Sequence, residues 1–575
     1  MTDRQTGYPS IDKPWLKYYS EEAIEAQVPQ ITMYDYMKKC NQGHLDEVAL
    51  VYYENKIRYS ELLHNIERTA IAFHSIGICS NDIVTICLPN MPESVYILYA
   101  LDAIGAVSNW IDPRFGIEEI AENLTKVKSK VLVILDDFYP KLSVSVKTTQ
   151  VEKIIHISPL QSMIKSVKFV LGLLPRKKPW KGNVSCVPWE KFIHFNTNKS
   201  EMVWDPYEKG RLKVLLCTGG TTGTPKSVML TDESFNGLTT QYIWAMKYSR
   251  GQCFLDFVPP WTAYGLATAI HMPLSIGIYV TLLPKVAPNN FFDRLLLKYR
   301  PNYTTGVPAT YESLLDSCKM QGINLSFLKI PGCGADSMSN ELEQKINNFL
   351  SDHKCPSKLV KGYGMTETCA TTCTCISGID AVNRIGSAGV PLVMNVVSIF
   401  APGTDHELTY GEQGEICITG LTIMKGYYKN EEATKEVLKK HSDGKMWIHS
   451  QDIGYMTEDG CLFVVDRIKR MFIRSGFKIF PSVMENAIST HYAVDNCKVI
   501  GIEDDVEGHK PHAFVILKPG YRSQTELIER EINTVCEERL SEYYFPVQYT
   551  FCTEFPYTSV GKVNYRRLVA ELMKE

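Results

Sequence analysis

The sequence lacks the long uncharged apolar run that a membrane-spanning helix requires. The nearest candidate, Ser94 to Ile111, contains Asp102, whereas a spanning helix needs about 18 or more uninterrupted apolar residues. The first ten residues are polar and mix acidic with basic side chains, which is not the pattern of a secretory signal. From these absences we expect a soluble protein in the cytoplasm.

An excess of charge of one sign is also missing. The formal net charge is −3, from 61 basic and 64 acidic residues, so no overall positive field attracts nucleic acid. We therefore expect no nucleic-acid partner. Any anionic ligand must be bound by a local group of donors and cations.

The 17 cysteines form no repeating framework. The tightest group, Cys369, Cys373 and Cys375, lacks the paired CxxC spacing of a zinc site and has no histidine nearby in the sequence. In a long chain without a secretory signal, such thiols are expected to be reduced. They are predicted to be small buried side chains rather than metal ligands.

Strand-like and helix-like segments alternate along most of the chain. Ile83 to Leu88 and Val131 to Leu135 are short apolar runs typical of buried strands, and Pro92 to Ala103 between them has helical spacing. This alternation predicts a layered α/β domain with mainly parallel sheets.

The character of the sequence changes after about Asp466. Short strand-like segments there flank a charged helical segment, Gln524 to Arg539. With 575 residues the chain is long enough for two or more domains. We predict a large N-terminal α/β domain over residues 1–466 and a small C-terminal α+β domain over residues 467–575.

The segment 160–181 differs from its surroundings. Its apolar residues fall on one helical face, and a basic cluster follows from Arg176 to Lys181. One interpretation is a surface helix packed on the protein's own core. The other is a helix that makes peripheral contact with a membrane.

The strongest local signal for a ligand is a loop rich in glycine and threonine. It lies between two apolar strands, Val214 to Cys217 and Ser227 to Leu230. Glycines let backbone N–H groups turn toward a ligand, threonine hydroxyls add donors and a lysine adds charge, which together suit a polyphosphate. The GxxxxGK[ST] spacing of a Walker loop is absent. The predicted nucleotide-binding residues here are Thr218, Gly219, Gly220, Thr221, Thr222, Gly223 and Lys226.

This loop resembles the phosphate loop of the adenylate-forming superfamily, which contains acyl-CoA ligases, peptide-synthetase adenylation domains and firefly luciferases. The segment Gly362 to Thr368 (GYGMTET) is similar to the second signature of that family. The resemblance implies that Tyr363 stacks on adenine, Thr366 contacts phosphate and Glu367 binds Mg²⁺. A carboxylate oxygen is a ligand that this hard cation prefers.

Three further segments resemble parts of the family's nucleotide site. A stretch of small residues after a predicted strand implies a wall beside adenine and the acyl group. The segment Trp447 to Asp452, followed by a hairpin turn at Asp459-Gly460, implies contacts to ribose, and Lys469 is implied as the hinge between the domains. The nucleotide-binding residues implied by these segments are Gly334, Ala335, Asp336, Asp452 and Arg467.

The segment Pro556 to Lys562 (PYTSVGK) resembles the family's last motif. The resemblance implies that Lys562 enters the site beside Thr366 and Glu367 and bridges the substrate carboxylate and the α-phosphate. A cation at this place stabilises charge that develops in the transition state. The resemblance also implies that the C-terminal domain then rotates about Lys469 and presents a segment containing Gly476 to the thiol.

The sequence departs from the family pattern at several positions. Gly219 stands where serine is common, Ser227 and Gln451 stand where glycine is frequent, and Thr262 stands where related ligases have histidine. Because that last position helps to gate the acyl tunnel in the family, the departure weakens inference about the substrate. The predicted substrate-pocket residues are Trp261 and Tyr264.

The resemblance as a whole implies that a carboxylic acid is activated with ATP and Mg²⁺ to an acyl-adenylate, with release of pyrophosphate, and is then transferred to coenzyme A. The overall pattern is most similar to bacterial fatty-acyl-CoA ligases, which favours a medium- or long-chain aliphatic acid over aryl acids. Two alternatives stay open. One is an adenylase that loads an aryl or amino acid onto a carrier protein, and the other is a non-catalytic nucleotide-binding relative.

Overall fold

The computed structural model describes residues 6–138, 146, 149–164, 184–194, 204–218, 226–284, 291–556 and 563–572. The strands among these residues are β1 (Val48–Tyr52), β2 (Asn55–Arg58), β3 (Ile83–Cys87), β4 (Val107–Trp110), β5 (Val131–Leu135), β6 (Lys153–Ile157), β7 (Ser185–Pro188), β8 (Leu212–Thr218), β9 (Lys226–Thr231), β10 (Cys253–Asp256), β11 (Tyr279–Leu282), β12 (Tyr303–Gly306), β13 (Ile330–Cys333), β14 (Val360–Met365), β15 (Ala370–Thr374), β16 (Val390–Pro391), β17 (Asn395–Phe400), β18 (Gly414–Gly420), β19 (Leu438–Lys440), β20 (Met446–Met456), β21 (Leu462–Arg467), β22 (Phe472–Arg474), β23 (Phe477–Ile479), β24 (Val494–Asp504), β25 (Gly508–Leu517) and β26 (Gln548–Cys552). The helices among them are Pro9–Asp12, Glu21–Glu25, Met33–Cys40, Tyr59–Ser75, Pro92–Ala103, Ile117–Val127, Trp189–Phe192, Asp232–Ala245, Met272–Ser275, Phe292–Tyr299, Pro308–Leu315, Asn340–Asp352, Glu431–Val437, Pro481–Ile488, Thr525–Arg539 and Tyr565–Leu572, with a π-helix at Tyr264–His271.

Two large sheets, mostly parallel, form the N-terminal part. The first has nine strands in the order β16-β15-β14-β13-β12-β10-β11-β1-β2, with parallel neighbours from β14 to β1. The second has seven in the order β7-β6-β5-β3-β4-β8-β9, parallel except for the β8–β9 hairpin. Because β13 and β14 are parallel neighbours, the segments that follow them leave the same edge, where ligands bind in open α/β sheets.

A smaller antiparallel sheet follows, in the order β17-β18-β20-β19, with β21 paired to β20. The hairpin predicted around Asp459-Gly460 is confirmed as the β20–β21 pair. Gly460 adopts a φ of +93°, a conformation that a side chain would disfavour.

The C-terminal part has its own sheet and its own apolar core. Strands β24, β25 and β26 form a three-stranded sheet, and β22 and β23 form a separate hairpin. Side chains such as Val499, Val515 and Ile532 form a buried cluster among themselves. The helix Thr525–Arg539 matches the charged helical segment of the sequence. The predicted class, a large layered α/β domain with mainly parallel sheets and a smaller α+β domain, is confirmed.

The apolar run that begins at Ser94 starts within the helix Pro92–Ala103, which is buried along its whole length. A helix that is apolar on all sides belongs in the interior of a large protein. Its Asp102 accepts a hydrogen bond from the Tyr34 backbone N–H at 2.8 Å and lies 3.2 Å from the buried Lys213 ammonium. Among the described residues, no helix has both the length and the apolar character to cross a membrane.

The helix expected to begin at Leu160 does not begin there. Residues 159–164 form turns and a bend, because they are tied to neighbouring elements. The Ser162 hydroxyl donates to Glu93 at 2.6 Å, and the Ser162 carbonyl oxygen accepts from the Asn55 side chain at 2.9 Å. The remainder of this segment, residues 165–181, lies outside the described residues, so the choice between a packed surface helix and membrane contact stays open.

The three clustered cysteines are buried, as predicted. Cys369 precedes β15, Cys373 lies within it and Cys375 follows it. Burial raises the pKa of all three thiols, that of Cys375 to about 11. They therefore stay protonated near neutral pH and behave as small apolar side chains.

Candidate active site

The glycine- and threonine-rich loop is flanked by the two ends of the β8–β9 hairpin. Thr218, the last residue of β8, pairs with Lys226, the first residue of β9. The Thr218 hydroxyl donates to the Lys226 carbonyl oxygen at 3.3 Å. The loop residues Gly219, Gly220, Thr221, Thr222 and Gly223 lie outside the described residues. The structure thus fixes the positions of the two predicted site residues that flank the loop.

The second signature ends β14 and turns back into β15. A 3₁₀ turn at Thr366–Thr368 makes this reversal and leaves Thr366 and Glu367 half-buried at its tip. Position 364 requires glycine, because a Cβ there would lie 1.7 Å from the Ala370 carbonyl oxygen. The close approach of the two strands therefore explains the glycine and places Glu367 at the edge of the sheet.

A short stretch, the 424–428 segment, joins the β8–β9 hairpin to the second signature. The Tyr428 backbone N–H donates to the Ser227 carbonyl oxygen at 2.8 Å. Toward the other side, the Met424 backbone N–H donates to the Glu367 carbonyl oxygen at 2.7 Å. This segment is the physical connection between the strand that carries Lys226 and the turn that carries Glu367.

Tyr427 lies at the centre of this connection. Its hydroxyl donates to Glu367 Oε1 at 2.7 Å, and the Lys226 ammonium lies 4.9 Å from the centroid of its ring, which is a cation–π distance. Burial, and then the negative charge of Glu367, raise the pKa of the Tyr427 hydroxyl, so it stays protonated and donates. Lys226 also lies 3.9 Å from Glu436, but both side chains are partly exposed, so that pair contributes little.

Asp452 and Arg467 face each other across the β20–β21 hairpin. They are direct partners in its register, and Arg467 Nε lies 3.1 Å from Asp452 Oδ1. The Tyr363 hydroxyl donates to Asp452 Oδ2 at 2.8 Å. Burial, and then the charge of Asp452, raise the pKa of Tyr363, so this hydroxyl too remains a donor. Two residues predicted to bind the nucleotide, Tyr363 and Arg467, therefore meet on the carboxylate of a third, Asp452.

The Arg467 guanidinium is influenced by carboxylates from both groups of residues. The negative charge of Asp452 raises its pKa most, and Glu367 and Asp336 also raise it. The charges of all three carboxylates therefore act on one cation, and Asp452 is the one in direct contact with it. The Arg467 side chain is 55% exposed, so a ligand can reach it.

The backbone conformation of Gln451 shows how a non-glycine residue is accommodated where the family pattern has glycine. It adopts a φ of +61°, where an L side chain is strained and glycine is not. Its backbone N–H donates to buried Glu415 at 3.1 Å, which fixes this conformation next to Asp452. The structure thus retains the backbone shape that glycine supplies elsewhere.

The stretch of small residues after β13 is confirmed as a place of close approach. A Cβ at Gly334 would lie 3.1 Å from the Gly362 carbonyl oxygen and 3.4 Å from the Tyr264 hydroxyl. Ala335 then adopts a φ of +67°. Asp336 is exposed, and its negative charge contributes to the raised pKa of Arg467.

The two residues predicted to line the substrate pocket lie in different surroundings. Tyr264 begins the π-helix, its hydroxyl is hydrogen-bonded to Thr305, and it adjoins Gly334. Trp261 lines a small cleft with Phe257 and several prolines. The structure thus brings Tyr264 against the predicted adenine wall, and it places Trp261 in that cleft.

The predicted hinge lies at the start of the C-terminal part. Lys469 is exposed in a 3₁₀ turn, Ile468–Arg470, and Arg470 lies 3.2 Å from Asp466. Gly476, in the turn of the β22–β23 hairpin, is exposed. Lys562 lies outside the described residues, so its role stays a prediction.

Sequence reasoning missed Tyr427. The stretch Met424 to Thr434 (MKGYYKNEEAT) counted only toward overall resemblance, because a tyrosine in a polar loop carries no chemical signal by itself. A pairing between this stretch and β9, which would have indicated the residue, is not readable from one sequence.

Comparisons with known proteins match this chain to one family of enzymes. A family model described as AMP-binding enzyme matches residues 37–428, and one described as AMP-binding enzyme C-terminal domain matches residues 483–562. The chain is 29% identical to a long-chain-fatty-acid–CoA ligase of Bacillus subtilis, over 97% of this chain and 98% of that protein. It is 28% identical to a probable 4-coumarate–CoA ligase 1 of Dictyostelium discoideum, over 96% of each chain.

Solved structures share the fold at lower sequence identity. The anthranilate CoA ligase AuaEII in complex with anthranoyl-AMP superposes with a TM-score of 0.79 at 19% identity, over 96% of this chain and 98% of that one. ATP-bound MatB from Rhodopseudomonas palustris gives a TM-score of 0.78 at 19% identity, over 94% and 99%. Since the first family model spans well over half of the sequence, the protein belongs to the AMP-binding enzyme family.

Proposed function

We propose that this protein activates a medium- or long-chain fatty acid with ATP and transfers the acyl group to coenzyme A. Its family consists of adenylate-forming enzymes, and the curated relatives are acid–thiol ligases. The chain length of the acid, the residue roles and the order of events are our inference.

One observation carries the proposal. Residues from distant parts of the chain converge: Lys226 contacts Tyr427, Tyr427 donates to Glu367, and Tyr363, on the strand that leads to Glu367, donates to Asp452. A single nucleotide, with its phosphates, ribose and base, requires such a convergence of cations, a carboxylate pair and an aromatic ring. A scaffold that does not bind a nucleotide has no need for it.

In the proposed first step, the substrate carboxylate attacks the α-phosphorus of ATP and pyrophosphate leaves. Asp452 accepts hydrogen bonds from the ribose hydroxyls, Tyr363 stacks on adenine, and Thr366 contacts phosphate. Lys226 and Lys562 place positive charge beside the phosphates. Such a transfer depends mostly on positioning and electrostatics, so no general base is needed.

The chemistry of the site fits a magnesium ion. Glu367 offers a half-buried carboxylate at the tip of a turn. Its Oε1 accepts a hydrogen bond from the Tyr427 hydroxyl, and its second oxygen can bind a cation. Few protein ligands suffice for Mg²⁺, since phosphates and water supply the rest. When bound, the ion would neutralise phosphate charge.

The proposed second step uses the C-terminal domain. We place the domain boundary between residues 466 and 467, with Lys469 as the hinge, so that rotation would withdraw Lys562 and present the Gly476 hairpin to coenzyme A. Hinge rotation about one or a few residues is an established type of domain motion. The exposure of Lys469 and of this hairpin supports this proposed rotation.

A location in the cytoplasm stays a prediction from the sequence.

A second candidate substrate class is an aryl acid. The observation that favours it is the similarity to 4-coumarate–CoA ligases at 28% identity over nearly the whole chain. The fatty acid is preferred because the long-chain relative matches at slightly higher identity and coverage.

A panel of acids tests both candidate substrate classes, the fatty acid and the aryl acid. Aliphatic acids of graded length, 4-coumarate, benzoate and several amino acids would be assayed for pyrophosphate release, which reports adenylate formation, and for AMP release, which reports transfer, with and without coenzyme A. We expect release that depends on coenzyme A and is largest with medium or long aliphatic acids. Preference for 4-coumarate would replace the fatty acid by an aryl acid. Adenylate formation without transfer to coenzyme A would favour a carrier protein as acceptor. Release of neither pyrophosphate nor AMP with any acid would favour a non-catalytic relative.

A further inference from the structure

Tyr427 is a buried residue whose hydroxyl is hydrogen-bonded to a predicted metal ligand, Glu367. It is buried, with 5% of its surface exposed, yet its hydroxyl is directed at Glu367. Its backbone N–H donates to the Thr434 hydroxyl at 2.9 Å, and it forms an isolated β-bridge with Val228. The ring and the backbone are therefore both fixed before any ligand binds.

The segment that carries Tyr427 has little freedom to move. Gly426 adopts a φ of +138°, and a Cβ there would lie 2.8 Å from the Thr434 side chain. Position 426 therefore requires glycine. The hydroxyl of Tyr427 is held in place by this packing and not by Glu367 alone.

Glu367, by contrast, lies on a short turn and is half-buried. A glutamate has three side-chain torsions, and a carboxylate that must bind a cation gains from being held in one orientation. The bond of 2.7 Å from Tyr427 is within the usual range for a hydroxyl donor to a carboxylate.

From this geometry we infer that Tyr427 is a positioning residue, whose hydroxyl orients the Glu367 carboxylate for the divalent cation that accompanies ATP. The inference rests on the proposed function, because it assigns the cation to Glu367. It adds a residue whose effect on the metal is exerted through its hydrogen bond to Glu367. The same ring lies beside Lys226, so one side chain stabilises two groups that face the phosphates.

The variant Tyr427→Phe separates the two contacts, since it deletes the hydroxyl and retains the ring beside Lys226. The matched control is Tyr428→Phe. Tyr428 is the next tyrosine, half-buried, and its ring lies 5.2 Å from the Lys429 ammonium. Both variants would be checked for folding by thermal unfolding.

The primary measurement is metal affinity and not turnover. Free Mn²⁺ would be followed by electron paramagnetic resonance while enzyme and α,β-methylene-ATP are titrated, which reports binding of the cation to the enzyme–nucleotide complex. For Tyr427→Phe we expect affinity for Mn²⁺ to fall by about tenfold, the low end for loss of a hydrogen bond to a metal ligand, and Tyr428→Phe should match the wild type. Pyrophosphate exchange should need a correspondingly higher Mg²⁺ concentration and regain its maximal rate at saturation.

A double-mutant cycle tests whether the hydroxyl acts through Glu367. Glu367→Asp shortens the side chain by one methylene and withdraws the carboxylate from Tyr427. We expect Tyr427→Phe to have little further effect on Mn²⁺ affinity in that background.

Equal Mn²⁺ affinity in Tyr427→Phe and the wild type would overturn the inference. The inference would also be overturned if Tyr427→Phe lowered Mn²⁺ affinity by the same factor in the wild-type and Glu367→Asp backgrounds. The same holds if Tyr428→Phe lowered Mn²⁺ affinity as much as Tyr427→Phe. Failure of the proposed function is a separate outcome, since it appears as wild-type enzyme that binds the analogue and Mn²⁺ but exchanges pyrophosphate with no acid.

Discussion

The two halves of the candidate site are built in different ways. The half assigned to ribose consists of Asp452 and Arg467, which are direct partners in one hairpin, with Tyr363 bonded to the same carboxylate. The half assigned to the metal and phosphates joins Lys226 and Glu367 through Tyr427, which lies 60 residues from Glu367 in the sequence. The first is fixed mainly by the register of a hairpin, and the second by packing between separate parts of the molecule.

This difference has a consequence for the effects of mutation. A hairpin register is maintained by many backbone hydrogen bonds, so a change in one side chain alters the ligand contact and leaves the frame intact. The metal half depends on a few side-chain contacts, so a change there alters both geometry and charge. We therefore expect mutations in the metal half to affect chemistry, and those in the ribose half to affect nucleotide binding.

The largest effect is expected for Glu367→Gln. It removes the charge that would hold Mg²⁺ but keeps the size and a hydrogen-bond acceptor for Tyr427. The rate of acid-dependent pyrophosphate exchange should fall by about a hundredfold, or about 2.7 kcal/mol of barrier. A rate within threefold of the wild type at saturating Mg²⁺ would mean that the metal half is wrongly assigned.

Next in size is Lys562→Ala, which tests whether a residue of the C-terminal domain completes the metal half. The loss of its charge should lower adenylate formation at least tenfold, which corresponds to about 1.4 kcal/mol. Transfer to coenzyme A from presynthesised acyl-adenylate serves as the internal control and should change little. Pyrophosphate exchange near the wild-type level would show that our role for this lysine is wrong.

A smaller effect is expected for Asp452→Asn in the ribose half. The amide accepts fewer hydrogen bonds than the carboxylate, and the attraction to Arg467 is lost. The KM for ATP should rise about fivefold, a cost of about 1 kcal/mol, while kcat stays within about twofold. A large loss of kcat with unchanged KM would remove the distinction between the two halves.

The smallest effect is expected for Gln451→Gly, which tests whether the frame of the ribose half is strained. Relief of the left-handed conformation gains about 1–2 kcal/mol, and the greater freedom of glycine in the unfolded chain offsets about 0.5–1 kcal/mol. The midpoint of thermal unfolding should rise slightly, and Gln451→Ala should leave it unchanged. A lower midpoint of thermal unfolding for Gln451→Gly than for the wild type would show that the conformation of Gln451 is not strained.

Much of the fold was predictable because its signals are local. The helix Pro92–Ala103 and the strand Val131–Leu135 have the predicted bounds, since apolar periodicity and flanking breakers depend on neighbouring residues only. The helix expected from Leu160 was wrong over its first residues. Contacts of Ser162 with Glu93 and Asn55, far away in the sequence, override local preference there.

The sequence by itself determined which residue types this protein can bring to a nucleotide, and it indicated the β20–β21 hairpin through its turn at Asp459-Gly460. The pairing of Asp452 with Arg467 was decided by the structure, because a register shift between Ile453 and Gly454 moves Arg467, and not Asp466, opposite Asp452. Only the tertiary structure decided that the 424–428 segment lies between β9 and the turn of Glu367. That contact arises from the packing of distant segments, which no periodicity within either segment encodes. Tyr427 could therefore be identified as a site residue only from the tertiary structure.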